Sequence, residues 1–360
     1  MWGDITIAFL LSFVAAFVIT PYTIRLAKKV GAIDKPEKRR INKEPIPRLG
    51  GIAVIIGFLI ASIYLVIVMN YEKTFNLFGE EQYLFKLLGL LCGIAVLALF
   101  GYIDDVKGLP AIVKLIGQTI AAIIVVSFGI KIDNFTIPFL EQTLHISNDV
   151  YVYILSVGWI VGITNAINLI DGLDGLSSGI TLISCFSLII VFTMNQSPII
   201  SIILITALAG AITGFLPYNF NPAKTFIGDV GAQFLGFMLA TISILGIAKT
   251  YTLLVLISPL IILGLPIFDT LFAIVRRIIK GKSLKAVFAP DTGHLHHKLM
   301  KKGYTQKQAV LVLYGVSACF GMFAIILIES GIWKAISFAF MITAIMAIGY
   351  RDFKKNKKED

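Results

Sequence analysis

The sequence predicts an all-α, polytopic integral membrane protein, on three observations. Hydrophobic residues make up 57% of the 360 positions and mean hydropathy is +0.88, against roughly 45 to 50% apolar usage in soluble domains. Only 14% of residues are charged, and apolar runs of about 20 residues, enough to cross roughly 30 Å of hydrocarbon, recur along the chain. No polar stretch exceeds about 30 residues, the length of the one from Arg276 to Lys307, which leaves no room for a separate soluble domain.

Taken in order, about eleven spans are expected, at approximately 5 to 25, 49 to 69, 83 to 101, 111 to 130, 149 to 168, 176 to 194, 198 to 216, 231 to 248, 252 to 274, 307 to 328 and 332 to 350. They define one transmembrane domain over 1–350, with a basic tail at 351–360. The first run has no positive charge before it, and Arg25, Lys28 and Lys29 follow it, so it reads as an uncleaved span with its N-terminus outside. Alternation then places 26 of the 31 Lys and Arg residues on the inner side, including the tail, and leaves Lys73, Lys86, Lys131, Lys249 and Lys334 outside. The +10 net charge is therefore an orientation signal, and nucleic acid is not an expected partner. Cys92, Cys185 and Cys319 fall one per apolar run and read as small apolar side chains.

The same alternation puts the gaps after spans 3, 5, 7 and 9 on the cytoplasmic face, and these gaps carry four polar clusters. Asp104-Asp105 sits before a Gly-Leu-Pro turn, with Lys114 opening span 4; paired hard oxygens suit Mg²⁺, which binds through one or two carboxylates plus substrate phosphates. After Asn165, Asn168, Asp171 and Asp174 follow at three-residue spacing, so a helical stretch would bring neighbouring members of these three within reach. Gly172 and Gly175 let the backbone turn or approach a ligand there. Asp229 opens span 8, one turn after Phe226, which could serve the core or stack on a base. His294, His296 and His297 are three of the four histidines of the chain. They can donate to phosphate oxygens and move protons, and zinc is the competing reading for them. Arg276 and Arg277 end span 9 and add fixed positive charge suited to a diphosphate.

Hard acids, cations, histidines and an aromatic on one face match a nucleoside diphosphate better than an ion pathway. A transporter would place ionisable groups near the midplane, where this chain has only Asp269, expected to pair with Arg276.

Five motifs in order, Pro45-Ile-Pro-Arg48-Leu-Gly-Gly51, Asp104-Asp105, Asn165 through Gly175, Phe226-Ile-Gly-Asp229 and His294-Leu-His-His297, resemble the polyprenyl-phosphate N-acetylhexosamine-1-phosphate transferases over roughly residues 1 to 350. The resemblance implies transfer of a sugar-1-phosphate from a UDP-sugar to undecaprenyl phosphate at the cytoplasmic face of the bacterial plasma membrane. It implies Mg²⁺ as cofactor, with Mn²⁺ as substitute, and UMP as the second product. The interrupted histidine run looks like the UDP-GlcNAc branch rather than the phospho-MurNAc-pentapeptide transferase branch.

Carried over by position, Asp229 matches the principal metal ligand, with Asn168 and Asp105 near the metal, and Phe226 matches the aromatic on uracil. Lys114 matches the lysine at the acceptor phosphate, and Arg277, with Arg276 beside it, a diphosphate-binding arginine. Asp104, Asp105, Lys114, Asp171, Asp174 and His294 are the expected catalytic positions, with separate roles for the first two left open. Arg48, Asn165, Asn168, Phe226, Arg276, Arg277, His296 and His297 are expected to bind substrate. Span 9 resembles a bent helix beside the lipid groove, for which Pro259 and Pro266 give a physical reason. A homodimer is consistent with the resemblance.

Overall fold

The structure, a computed structural model, describes residues 2–36, 44–74, 76, 77, 79, 82–132, 134–137, 142–145, 148–247, 253–281 and 293–343. The expected basic tail and the last residues of span 11 lie outside them. Thirteen helices occur among the described residues. The first four are α1 (Trp2–Val30), α2 (Gly50–Tyr71), α3 (Tyr83–Lys107) and α4 (Ala111–Ser127), and the next four α5 (Asp149–Ile170), α6 (Leu176–Met194), α7 (Ile199–Asn219) and α8 (Gly228–Ile247). The chain continues through α9 (Leu253–Ile262), α10 (Gly264–Gly281), α11 (Leu295–Lys301), α12 (Gln306–Ser330) and α13 (Ile332–Thr343). Two antiparallel ribbons complete it, β1–β2 (Ile33–Asp34 with Ile46–Pro47) and β3–β4 (Asn134–Ile137 with Gln142–His145).

The all-α membrane class holds. Eight helices, α1, α2, α3, α5, α6, α7, α8 and α12, are long and apolar enough to cross a membrane, while α4 and α13 are apolar but shorter. The ninth expected span is two helices broken at Leu263, because Pro266 has no N–H to give the Ile262 carbonyl one turn back. The spans before the polar clusters also run further than expected. α3 continues through Asp104 and Asp105 to Lys107, and α5 through Asn168 to Ile170, so these polar residues are carried on rigid helix ends. Asp171 and Asp174, by contrast, leave the helical path that their spacing allowed.

Burial sorts the helices into layers. The apolar windows of α7 and α8 are 83% and 94% buried, against 28% in α1 and α12. The inner helices come close because small residues leave the space: a Cβ on Gly210 would lie 2.2 Å from Ser12 Oγ, and one on Gly214 equally near the Phe13 carbonyl oxygen. Outward, α1 exposes Leu10, Val14, Phe17 and Val18, a surface suited to lipid. The starts of α2, α4 and α8 and the ends of α3 and α5 meet at one end of the bundle. Among the cysteines, all free, Cys185 is buried and Cys92 exposed.

Candidate active site

The site is built on the N-terminus of α8. The segment before it is stitched to the strand–loop entering α2: Phe226 N–H donates to the Pro47 carbonyl (2.8 Å), Gly50 N–H to Phe226 (3.0 Å) and Gly51 N–H to Ile227 (2.8 Å). Glycine is required twice. Gly228 has φ +72°, and a Cβ there would sit 2.0 Å from the Arg48 carbonyl oxygen; one on Gly51 would sit 2.2 Å from Gly231 Cα. Arg48 and Asp229, far apart in sequence, are thereby fixed side by side.

Asp105 closes this arrangement. Its side chain has no exposed surface. One oxygen accepts from Asp229 N–H (2.9 Å) and Arg48 Nε (2.8 Å), the other from Val230 N–H (3.0 Å). A carboxylate from α3 thus caps α8, where the helix dipole favours negative charge. Asp104, one residue earlier, accepts from Leu109 N–H (2.7 Å) and ion-pairs with Lys114.

Asp229 is where the cations converge. Arg48 Nη2 donates to one oxygen (2.7 Å); Lys114 Nζ (3.2 Å) and Asn168 Nδ2 (3.0 Å) donate to the other. Burial works against the charge on Arg48, but the carboxylates of Asp105 and Asp229 more than offset it and hold the guanidinium above its ordinary pKa.

Asp229 opens into a cavity of about 330 Å³. Asn168, Asp171, Asp174, Phe226, Gly228, His297 and Gln306 are among the residues that line it. Asp171 accepts from Ser177 Oγ (2.6 Å); burial pushes its carboxyl up to about 7, against the lowering effect of that hydroxyl. Asp174 ties the lining to the loop after α7 by accepting from Asn221 Nδ2 (2.8 Å) and Ala223 N–H (3.1 Å).

Four carboxylates, Asp34, Asp171, Asp174 and Asp229, line the cavity against Arg48 and His297. That excess calls for a cation. Among the described residues no three His, Cys, Asp or Glu side chains converge in a ligating arrangement, so the protein supplies no complete cage. The donor set nonetheless fits Mg²⁺, a hard ion that takes one or two carboxylates and completes its shell with water and phosphate oxygens. Asp229 and Asn168 would hold it, with Asp171 in the same lining.

The histidine segment reaches the cavity at His297. His296 is 2% exposed and lies over Gly172, where a Cβ would come within 2.4 Å of its Nε2. Burial, then the neighbouring His297 and His294, push His296 down to about 3, so it is neutral at physiological pH. His294 is also buried. Asp269, expected to pair with Arg276, takes its hydrogen bonds from His294 Nδ1 (2.7 Å) and Leu295 N–H (2.9 Å).

Not every expected residue reaches the cavity wall. Asn165 faces α4 instead, donating to Gln118 Oε1 (2.6 Å) and the Val161 carbonyl (3.0 Å). Arg276 and Arg277 lie at the end of α10, with Arg276 against Gly293, whose missing Cβ leaves room for the guanidinium. Three polar lining residues escaped sequence reasoning: Asp34, Asn219 and Gln306. Asp34 is brought in by the β1–β2 ribbon, 3.7 Å from Arg48 Nη1. Asn219, at the end of α7, accepts from Ser178 Oγ (2.8 Å) and donates to the Thr225 carbonyl (3.1 Å).

Comparison with known proteins gives consistent matches. A family model described as glycosyl transferase family 4 matches residues 87–247. The chain is 38% identical to the probable undecaprenyl-phosphate N-acetylglucosaminyl 1-phosphate transferase of Bacillus subtilis (strain 168), over 96% of this chain and 90% of the relative. It is 34% identical to the decaprenyl-phosphate N-acetylglucosaminephosphotransferase of Mycobacterium leprae (strain TN), over 80% and 75%. It is 30% identical to a phospho-N-acetylmuramoyl-pentapeptide-transferase of Staphylococcus epidermidis (strain ATCC 12228 / FDA PCI 1200), over 88% and 95%.

Proposed function

The chain belongs to glycosyl transferase family 4, and from that premise we propose that it transfers GlcNAc-1-phosphate from UDP-GlcNAc to undecaprenyl phosphate, releasing UMP. The observation that carries the reading is the convergence of Arg48, Lys114 and Asn168 on Asp229 beside an acid-lined cavity with Phe226 in its wall. The charge asymmetry of the chain supports a cytoplasmic opening for that cavity.

Phosphoryl transfer is catalysed mainly by positioning and electrostatics, and the residues divide along those lines. Phe226 offers a face on which uracil stacks. Asp229 and Asn168 would hold Mg²⁺, whose charge would offset that of the diphosphate. Lys114, already paired with Asp104 and Asp229, receives the acceptor phosphate. An oxygen of that phosphate attacks the β-phosphorus of UDP-GlcNAc; the new P–O bond forms, the bond to the bridging oxygen breaks, and UMP leaves. A phosphate monoester has a second pKa of about 6, so the nucleophile is largely ionised at neutral pH and needs little help from a base.

A single-turnover experiment with β-³²P-UDP-GlcNAc and no lipid tests this direct route. Label stays in nucleotide on this account, and phosphate trapped on protein would replace direct attack by a covalent aspartyl route.

A further inference from the structure

α10 is an apolar helix with one buried carboxylate. Phe268, Leu271, Phe272, Val275 and Ile279 are exposed on its outer side, while Asp269 on the inner side is 4% exposed. A carboxylate removed from water is costly unless both oxygens find donors. Here they do, and both donors come from the histidine segment: His294 Nδ1 and the first amide of α11. His294 stands at the N-cap position of α11 but its own side chain makes no cap hydrogen bond there. Asp269 supplies the acceptor from another helix.

The rings carry this tether to the cavity. His294 lies parallel to His296, with centroids 5.8 Å apart and planes within 8°, and His296 meets His297 at 4.2 Å. His297 lines the cavity, and His296 rests on Gly172 beside Asp171. Moving His294 therefore disturbs the cavity lining at His297 and at Gly172. The hydrogen bond also sets chemistry. An ionised carboxylate can only accept, so the bond selects the His294 tautomer with its proton on Nδ1 and the lone pair on Nε2.

We propose that Asp269 is a positioning residue of the transfer site, holding the histidine segment in place and fixing the tautomer of His294 from the broken helix α9–α10. The kinetic part of this inference rests on the transferase reading above; the positional part does not.

The test uses the full-length protein in detergent or nanodiscs. Asp269→Asn keeps an acceptor for Leu295 N–H but can turn a donor toward His294 Nδ1, reversing the tautomer while leaving the segment in place. The expected result is a fall in kcat of about 10²-fold with KM for UDP-GlcNAc within twofold, the lower end of what a positioned acid–base histidine contributes. In a His294→Ala background the same substitution adds less than twofold. Asp269→Ala removes both bonds, and diethyl pyrocarbonate, mapped by mass spectrometry, then labels His294 and His296 at least fivefold faster than in wild type. Asp269→Asn retaining more than half of wild-type kcat, or lowering it equally with and without His294, overturns the tautomer role. Unchanged labelling in Asp269→Ala overturns the tether. If the wild type turns over no donor, the transferase reading fails while the labelling still decides the tether.

Discussion

Two regions contribute to the cavity lining and are held in different ways. At the head of α8, Arg48, Asp104, Asp105, Lys114, Asn168 and Asp229 cross-link five segments of chain through charge-assisted bonds. Several bonds constrain each of Asp105 and Asp229, so losing one leaves others in place. The histidine segment packs through Leu295, Leu299 and Met300 on the apolar cluster around α12, and its polar tie to α10 is two bonds to a single carboxylate. The difference teaches that the head of α8 is fixed by many charge-assisted bonds, whereas the histidine segment is oriented by one carboxylate over an apolar support.

The largest expected effect is at the centre of the first region. Asp229→Ala should reduce turnover by at least about 10³-fold, near the upper end for losing a preorganised electrostatic group. No Mg²⁺ concentration should restore it, because Asp229 is the focus of the ligand set; a Mg²⁺ titration that recovers substantial activity would remove Asp229 from direct contact with the ion.

Asp105→Asn separates positioning from chemistry within the same region. The amide must point a donor at Arg48 or at the α8 amides, leaving a buried cation or N–H groups short of acceptors. Stability should fall by about 3 to 5 kcal/mol, the usual cost of breaking a buried pair, along with activity. Thermal melts of the detergent-solubilised protein check this: an inactive variant with an unchanged midpoint would give Asp105 a direct chemical role instead.

The histidine region should behave differently. His294→Ala should lower kcat by about 10²-fold, within the span seen for positioned acid–base groups, and lower the melting midpoint less than Asp105→Asn does, since one of the two bonds to Asp269 remains. A large loss of stability would make the segment part of the framework and erase the contrast.

The smallest effect is a pH dependence. The pKa of His296 is depressed in the folded state to about 3, below its ordinary value of 6.5, so the folded protein binds fewer protons than the unfolded chain between those values. Stability is then fully present above pH 6.5 and declines as pH falls toward 3, by about 1.4 kcal/mol per unit for one group. His296→Gln should flatten that slope in melts between pH 4 and 6; an unaltered slope would assign it to other groups.

Much of this was legible because an apolar chain makes its polar residues conspicuous. Asp104, Asp105, Asn168, Asp171, Asp174 and Asp229 stood out against apolar runs, and alternation alone sent them to one end, where the structure brings them together. Asp34 was hidden by the opposite circumstance: it sits in a charge-rich segment, and only the pairing of Asp34 with Ile46 carries it to Arg48. Gln306 and Asn219 are neutral residues at helix ends, with no charge to announce them. Asn165 was expected to bind substrate alongside Asn168, yet α5 turns Asn165 toward Gln118 and only Asn168 toward Asp229. The break in the ninth span was foreshadowed by Pro266. The bond between Asp269 and His294 was not, since it joins residues 25 apart in sequence that no local pattern links.

The central claim is the reaction itself. Purified protein with undecaprenyl phosphate and Mg²⁺ should release UMP from UDP-GlcNAc, and do so far faster than from UDP-GalNAc or UDP-MurNAc-pentapeptide. UMP release chiefly from the pentapeptide donor, or from none of the three, would contradict it.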